Sequence, residues 1–442
     1  MLPVLAPASL PGQTTAAAFD QKGVAELNQG NVDGALADCN RAVALAPTLA
    51  SAYAARGRAQ EKSSNLAAAL ADFNRAVALD SKSARNYFYR GGVKSKQGDL
   101  AGAMADFNRA LALDPKLEPA YDDRGRAQAK AGNLEAALAD FNRALELDPQ
   151  STGTYVTRGS VKSQNGDFEG AMADFDHALA LNPKFVPAFD ARGRAQVRAG
   201  NLLLALAEFD HALELDPKSI AALNDRGNAK RQLKNYADAL ADFNRAIELD
   251  PQQPAAYDNR GNLKYDQGDV AGAIADYQLA LKADPNFVAA YLALGRAEMM
   301  NGDLTAALTD LNHALALDPK YAPAYYNRGR VKGRQQDFAG AMADFNQAIA
   351  LDPKADAAYL YRGRVKFYLK DTDGAIADLY KAADLGNADA MTNLATIYAQ
   401  GKGVPTDNTA ALNWYIRAAR AGNADAQETL NQQGVKWAPA QP

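Results

Sequence analysis

The sequence predicts an all-α solenoid built from helix-turn-helix repeats, and three observations predict it. A proline recurs every 34 residues, at Pro47, Pro115, Pro149, Pro183, Pro217, Pro251, Pro285, Pro319 and Pro353, with Ser81 and Asn387 breaking the column. A period of that length belongs to a helix pair that buries its apolar face only by stacking on copies of itself. Position 16 of every unit is Asn or Asp, a residue type that caps the start of a helix. Positions 20 and 27 are always alanine, seven residues apart and therefore on one helix face.

Counted from Ala16, eleven units fill residues 16–389 without an insertion. Residues 1–15 read either as a disordered, Pro-rich leader or as a signal peptide truncated at its charged start, because no Lys or Arg precedes Lys22. Position 4 carries an aromatic in every unit but one, from Phe19 through Tyr121 to Tyr359, with Leu223 the exception. Position 8 is always glycine, as in Gly57, Gly125 and Gly363. Inside a helix glycine costs about 1 kcal/mol against alanine, so close packing of the two helices is the expected compensation. Asn31, Asn65, Asp99, Asn133 and their equivalents should offer a side-chain oxygen to an unpaired amide of the next turn. Position 24 is usually Phe, as in Phe73, Phe107 and Phe141, and supplies a buried side chain worth roughly 1.5–3 kcal/mol. Cys39 occupies that column in the first unit and reads as a small core residue. Asp-Pro then turns the chain.

The aromatic, the glycine, the two alanines with an aromatic between them and the closing proline together resemble the tetratricopeptide repeat. The resemblance implies a right-handed superhelix whose first helices line a concave wall. The chain departs from that family at position 7, where nine units carry arginine (Arg56, Arg90, Arg124, Arg158, Arg192, Arg226, Arg260, Arg328 and Arg362). Position 23 is acidic in every unit, so a pair tying the two helices of each hairpin explains both columns. Units also alternate, Arg-Gly-Arg-Ala-Gln at residues 56, 124 and 192 against Gly-Ala-Met at residues 102 and 170, as duplication of a two-repeat block would give. From Asp378 the pattern changes, and residues 378–426 are similar to one Sel-one-like repeat, with Gly401, Gly403, Trp414-Tyr415 and Gly422. Residues 427–442 read as a C-terminal tail.

Several function classes find no support. With 48 basic and 52 acidic residues the formal charge is −4, which favours neither nucleic acid nor an anionic membrane. A single cysteine excludes an internal disulfide framework, and no apolar run approaches the roughly 18–20 residues that span a bilayer. His177, His211 and His313 all stand at position 26, where other units have arginine, so they read as a polar helix face. Asp174 and His177 have a spacing that could share a metal, but two ligands are too few, and Arg158 claims Asp174. No phosphate loop, nucleophile elbow or His-Glu-x-x-His run occurs. The expectation is a chain without catalytic residues, cofactor or metal. It is soluble, and cytoplasmic unless the opening stretch is a signal peptide, in which case it is periplasmic or secreted.

What remains is one face. If the first helices line the wall, position 9 projects Arg58, Arg126, Arg194, Arg296, Arg330 and Arg364 into it, with Asn228 and Asn262 between them. Position 13, on the same face, adds Lys62, Lys96, Lys130, Arg198 and Arg334. Positions 5 and 6 oppose this basic ladder with Asp122, Asp123, Asp190, Asp225 and Asp258 and with Asn224, Asn259 and Asn327. Asp122 with Arg126 and Asp190 with Arg194 can pair within their helices, so part of the ladder can satisfy itself. Otherwise the arginines would hold carboxylates of an acidic peptide, or its free C-terminus, while asparagines bond its backbone. Met299, Met300, Tyr326, Tyr361, Phe367 and Tyr368 would offer an apolar anchor, or pack against the Sel-one-like helices. The function expected is a non-catalytic scaffold that binds a protein or peptide in the groove. The alternatives are a self-assembling repeat array and a substrate-recruiting module of a separate enzyme.

Overall fold

The computed structural model describes residues 11–437, and every regular element among them is a helix. The leader reading for residues 1–10 and the tail reading for residues 438–442 lie outside the described residues. The chain divides into two compact units, residues 1–217 and 218–442.

The first unit holds six hairpins. They are Pro11–Asn28 (α1) with Val32–Leu45 (α2), Ala50–Lys62 (α3) with Leu66–Leu79 (α4), and Ala84–Lys96 (α5) with Leu100–Leu113 (α6). Glu118–Lys130 (α7) with Leu134–Leu147 (α8), Thr152–Gln164 (α9) with Phe168–Leu181 (α10), and Val186–Arg198 (α11) with Leu202–Leu215 (α12) complete it. The helix α1 begins inside the stretch read as a leader.

The second unit opens with Ile220–Gln232 (α13) and Tyr236–Leu249 (α14), Pro254–Asp266 (α15) and Val270–Ala283 (α16), and Val288–Asn301 (α17) and Leu304–Leu317 (α18). Ala322–Arg334 (α19) and Phe338–Leu351 (α20), then Asp356–Tyr368 (α21) and Thr372–Asp384 (α22), finish the 34-residue repeats. Ala388–Gln400 (α23) and Asn408–Arg420 (α24) follow, joined by a longer turn in which Gly401 and Gly403 take positive φ. The short helix Ala424–Gln432 (α25) buries Leu430 completely, so the first part of the stretch read as a tail is folded against the α22–α24 core.

Each hairpin is made the same way. In α7–α8, Gly132 at φ +83° lets the Asn133 amide return to the Gln128 carbonyl at 2.9 Å, which closes the first helix. That left-handed residue recurs in all eleven turns, and in four it is not glycine but Ser64, Lys234, Gln336 or Lys370. The position-16 residue is the N-cap everywhere, yet the side chain closes the cap in eight hairpins and not at Asn133, Asn201 or Asn235. Asn201 and Asn235 turn their amides to Gln196 and Asp238 instead. At the far end, Asp148 accepts from the Gln150 amide at 3.0 Å, an Asx turn that carries the chain through Asp-Pro.

The glycine column has the packing reason expected of it. A Cβ on Gly125 would lie 2.8 Å from the Phe141 ring, so the helix backbone rests directly on the aromatic. Ala137 and Ala144 are wholly buried beside it. Cys39 takes the ring's place in the first hairpin, with Sγ 2.6 Å from where a Gly23 Cβ would stand. Within each unit the first helices of neighbouring hairpins approach one another more closely than the second helices do, which places the first helices on the inner side of the curve.

Candidate functional site

The arginine column is structural, as the sequence pairing suggested, and does more than join two helices. Arg124 forks onto Asp140 with Nε–Oδ2 at 2.7 Å and Nη2–Oδ1 at 2.5 Å, across the hairpin. Its Nη1 reaches back 2.6 Å to Asn108 of the preceding hairpin, and its guanidinium lies 5.5 Å over the Tyr121 ring. Arg90, Arg158, Arg260, Arg328 and Arg362 repeat the pattern. Arg192 meets Glu208, one methylene longer, and its Nε finds no acceptor. In six hairpins a lysine four residues on, such as Lys264 at 2.8 Å from Asp276, grips the same acid. The sequence reading missed these lysines, although Lys94, Lys162, Lys230, Lys264, Lys332 and Lys366 form a column that could have been counted.

The histidines behave like the arginines they replace. His177, His211 and His313 lie over Tyr155, Phe189 and Tyr291, as Arg75 and Arg109 lie over Tyr53 and Tyr87. Asp174 is held by Arg158 and Lys162. Among the described residues no group of three or more His, Cys, Asp or Glu could hold a metal, and no helix is long and apolar enough to cross a membrane. Burial pushes the Cys39 thiol up to about 12.

The groove residues divide by unit. In the first unit the ladder is largely self-paired. Arg126 bonds Asp122 at 2.7 Å, Arg194 bonds Asp190, Lys96 bonds Glu61 at 2.8 Å, and Lys62 caps the Leu27 carbonyl at 3.0 Å. Arg58 lies 5.2 Å over the Tyr89 ring, while Lys130 and Arg198 are exposed. A cavity of about 590 Å³ between these helices has both signs on its wall, Glu61 and Asp123 against Lys96, Arg126 and Lys130. Burial and the adjacent Asp122 push Asp123 up to about 6.

In the second unit the asparagines face their own neighbours. Asn262 donates to Asp258 at 2.9 Å and accepts from Tyr277 at 3.0 Å, which engages both ends of its amide. Asn259 donates to Asn224, and the buried Asn327 donates to the Pro323 carbonyl at 2.8 Å. Asn228 is half-buried. Asn262 and Asn327 therefore hold the first helices rather than stand ready for a peptide backbone. Met299 is also a correction, since it is a core residue at 1 % exposure and only Met300 faces solvent.

The arginines of α19 and α21 differ from those of the first unit. Arg330 lies between the rings of Tyr326 and Tyr361, 5.5 and 5.1 Å from their centroids, and Arg364 lies 5.0 Å over Tyr361. Arg334 donates to the Met299 carbonyl at 2.8 Å. These three line a cavity of about 610 Å³ with Phe338, Tyr361 and Tyr368. A second cavity, of about 540 Å³, shares Arg364 and Tyr368 and adds Lys402, Asn393 and Thr396. Neither has a carboxylate on its wall. Phe367 lines the second cavity and also packs on the α22–α24 core.

Stacked helix hairpins with a structural clamp on one side and a groove on the other define a repeat scaffold, a class built for protein interaction. Models of the tetratricopeptide repeat match residues 54–118, 119–151, 152–185, 227–268, 259–322 and 326–390, more than half of the sequence, and the chain belongs to that family. A Sel1 repeat matches residues 388–423, inside the segment expected to be Sel-one-like. Among solved structures, a tetratricopeptide repeat protein from Parabacteroides merdae is 22% identical over 56% of this chain and 98% of its own, with a TM-score of 0.46. Yeast Tom70 is 17% identical over 95% and 99% of the two chains, with a TM-score of 0.47. The APC/C hetero-tetramer Cut9–Hcn1 gives 15% identity over 94% and 96%, with a TM-score of 0.48. No curated protein matches the chain.

Proposed function

We propose that the protein is a non-catalytic scaffold whose second unit binds an acidic protein segment in the groove between α19, α21 and α23. The observation that carries this reading is the contrast between two sets of groove cations. Arg126 and Arg194 spend their charge on Asp122 and Asp190, whereas Arg330 and Arg364 rest on tyrosine faces beside cavities with no acid on their walls. A guanidinium stacked on an aromatic keeps its N–H fork available in the ring plane, pre-oriented for a carboxylate. Phe338, Tyr361 and Tyr368 supply apolar surface for the side chains that flank such an acid.

The test is fluorescence polarisation of a labelled peptide of alternating Glu and Leu with a free C-terminus, against its Lys-for-Glu counterpart. The expected result is salt-sensitive binding of the acidic peptide only, weakened at least about tenfold by Arg330→Glu with Arg364→Glu. Arg126→Glu with Arg194→Glu should leave it within about twofold, since those cations are already neutralised. Equal binding of both peptides, or equal loss in both double variants, would sink the proposal.

A further inference from the structure

The ninth hairpin, α17–α18, breaks the clamp on both sides. Where nine hairpins carry arginine this one has Leu294, and where six carry lysine it has Glu298, while the acid Asp310 is kept. In the hairpins on either side the same acid is gripped by Arg260 and Lys264, and by Arg328 and Lys332. Two carboxyl groups thus stand where one carboxylate and two cations stand elsewhere. Glu298 is only 8 % exposed, and its Oε2 is buried without a hydrogen-bond partner.

No neighbouring element supplies the missing charge. On α16 the acid Asp276 is held by Arg260 and Lys264 of α15. On α19, Arg328 and Lys332 are committed to Asp344, and Arg334 to the Met299 carbonyl. On α17 itself Arg296 lies over Tyr265 of α15. The groups that act on the pair are Asp303, which bears on Glu298, and His313 of α18, which bears on Asp310 and whose Nδ1 meets the Thr309 carbonyl.

We propose that α17–α18 is a proton-operated joint, in which one proton shared by Glu298 and Asp310 replaces the arginine–lysine clamp and its loss loosens this hairpin alone. An ionised Glu298, shielded from water, is costly beside the carboxylate of the half-buried Asp310, whereas a protonated carboxyl donates to its ionised neighbour. Burial, the bond to Asp310 and the charge of Asp303 raise Glu298 from 4.5 to about 8, and burial raises Asp310 as well. Because the folded value lies above the free one, the stabilisation is complete below about pH 4.5 and is lost as pH rises through about 8. Since Arg334 of the groove holds the Met299 carbonyl in the last turn of α17, loosening reaches the groove wall. That last step rests on the groove reading above. The joint itself does not, and the test reads only the joint.

The experiment is hydrogen exchange by mass spectrometry on the full chain, wild type and Glu298→Gln, at pH 6 and pH 9, with rates corrected for intrinsic chemistry. At pH 6, about one and a half units above the free value, residues 288–317 should already open about thirtyfold more in the wild type than in Glu298→Gln. Between pH 6 and pH 9 they should open about a hundredfold more in the wild type, the two units from pH 6 to the folded value of about 8 above which the loss is complete, and by an unchanged amount in Glu298→Gln, while α7–α8 is the same in both proteins. Equal protection of residues 288–317 at pH 9 overturns the proposal. Should Glu298→Gln loosen the hairpin at every pH, Glu298→Lys can meet Asp310 as Lys264 meets Asp276. Its protection should be flat between the two pH values, and a wild-type-like dependence would overturn the joint.

Discussion

Replacing Asp140 by asparagine removes one charge from a fork that joins α7 to α8 and, through Asn108, to the preceding hairpin. The Asp140 side chain is 7% exposed and that of Arg124 19%, so the pair is neither surface nor deep core. Breaking a fully buried pair by removing one partner costs about 3–5 kcal/mol, because the other charge is stranded. Here Arg124 keeps Asn108, one edge open to water and a neutral oxygen on the new asparagine, which brings the expected loss to about 2 kcal/mol. Removing both charges, as Arg124→Leu with Asp140→Leu, should cost only about 1 kcal/mol, since no stranded charge remains. The ninth hairpin already accommodates Leu294 at the arginine position, at 4% exposure. Stacked repeats need not unfold as one, so hydrogen exchange of α7–α8 in the full chain is the measure rather than a global melt. The single variant should open about thirtyfold more often than wild type and the double variant about fivefold. A double variant that opens more than the single one would refute the reasoning.

Two further outcomes follow from the hairpin geometry. Ser64, Lys234, Gln336 and Lys370 hold φ of 60–65°, a left-handed strain worth about 1 kcal/mol for a residue with a Cβ. Converting all four to glycine should gain about 0.5 kcal/mol per site after the unfolded-state cost of glycine, read as a higher urea midpoint, and Gly132→Ser should lose a similar amount. Cys39 should react with a disulfide reagent at pH 8 at least about a hundredfold more slowly in the native chain than in urea, because a buried thiol raised to about 12 must wait for the hairpin to open. Prompt native labelling would contradict that burial.

The repeats were legible because every hairpin solves the same packing problem with the same residues. Eleven glycines at position 8, eight of them opposite an aromatic ring as Gly125 is opposite Phe141, announce a close approach that one copy would not. The Arg124–Asp140 link was legible for the same reason, as a basic column standing 16 residues before an acidic one. The second grip, from residues such as Lys264, was not read because its column alternates with glutamine. The left-handed residue before the N-cap was hidden where Ser64, Lys234, Gln336 and Lys370 interrupt the glycines. Asn133, Asn201 and Asn235 show the reverse error, since a capping residue type guarantees the position but not the bond.

The groove could be only partly read, because position 9 is arginine in both units and the residue that decides its state stands elsewhere. Position 5 makes the difference. Asp122 and Asp190 stand one turn before Arg126 and Arg194 and neutralise them, whereas Tyr326 stands one turn before Arg330 and offers it a ring. An arginine column therefore carries no binding information until its i−4 neighbour is read with it, since the same guanidinium is a spent ion pair in one context and a ring-stacked fork beside an acid-free cavity in the other. The same logic isolates Glu298. Glutamate at position 11 also occurs in the first hairpin, but there Lys22 remains at position 7 and lies 2.7 Å from Asp38 and 3.6 Å from Glu26. Among the described hairpins the acid pair stands without a cation only where Leu294 and Glu298 coincide. In a chain this repetitive the folding information lies in the columns, and the chemistry lies in the two or three units where adjacent columns depart together.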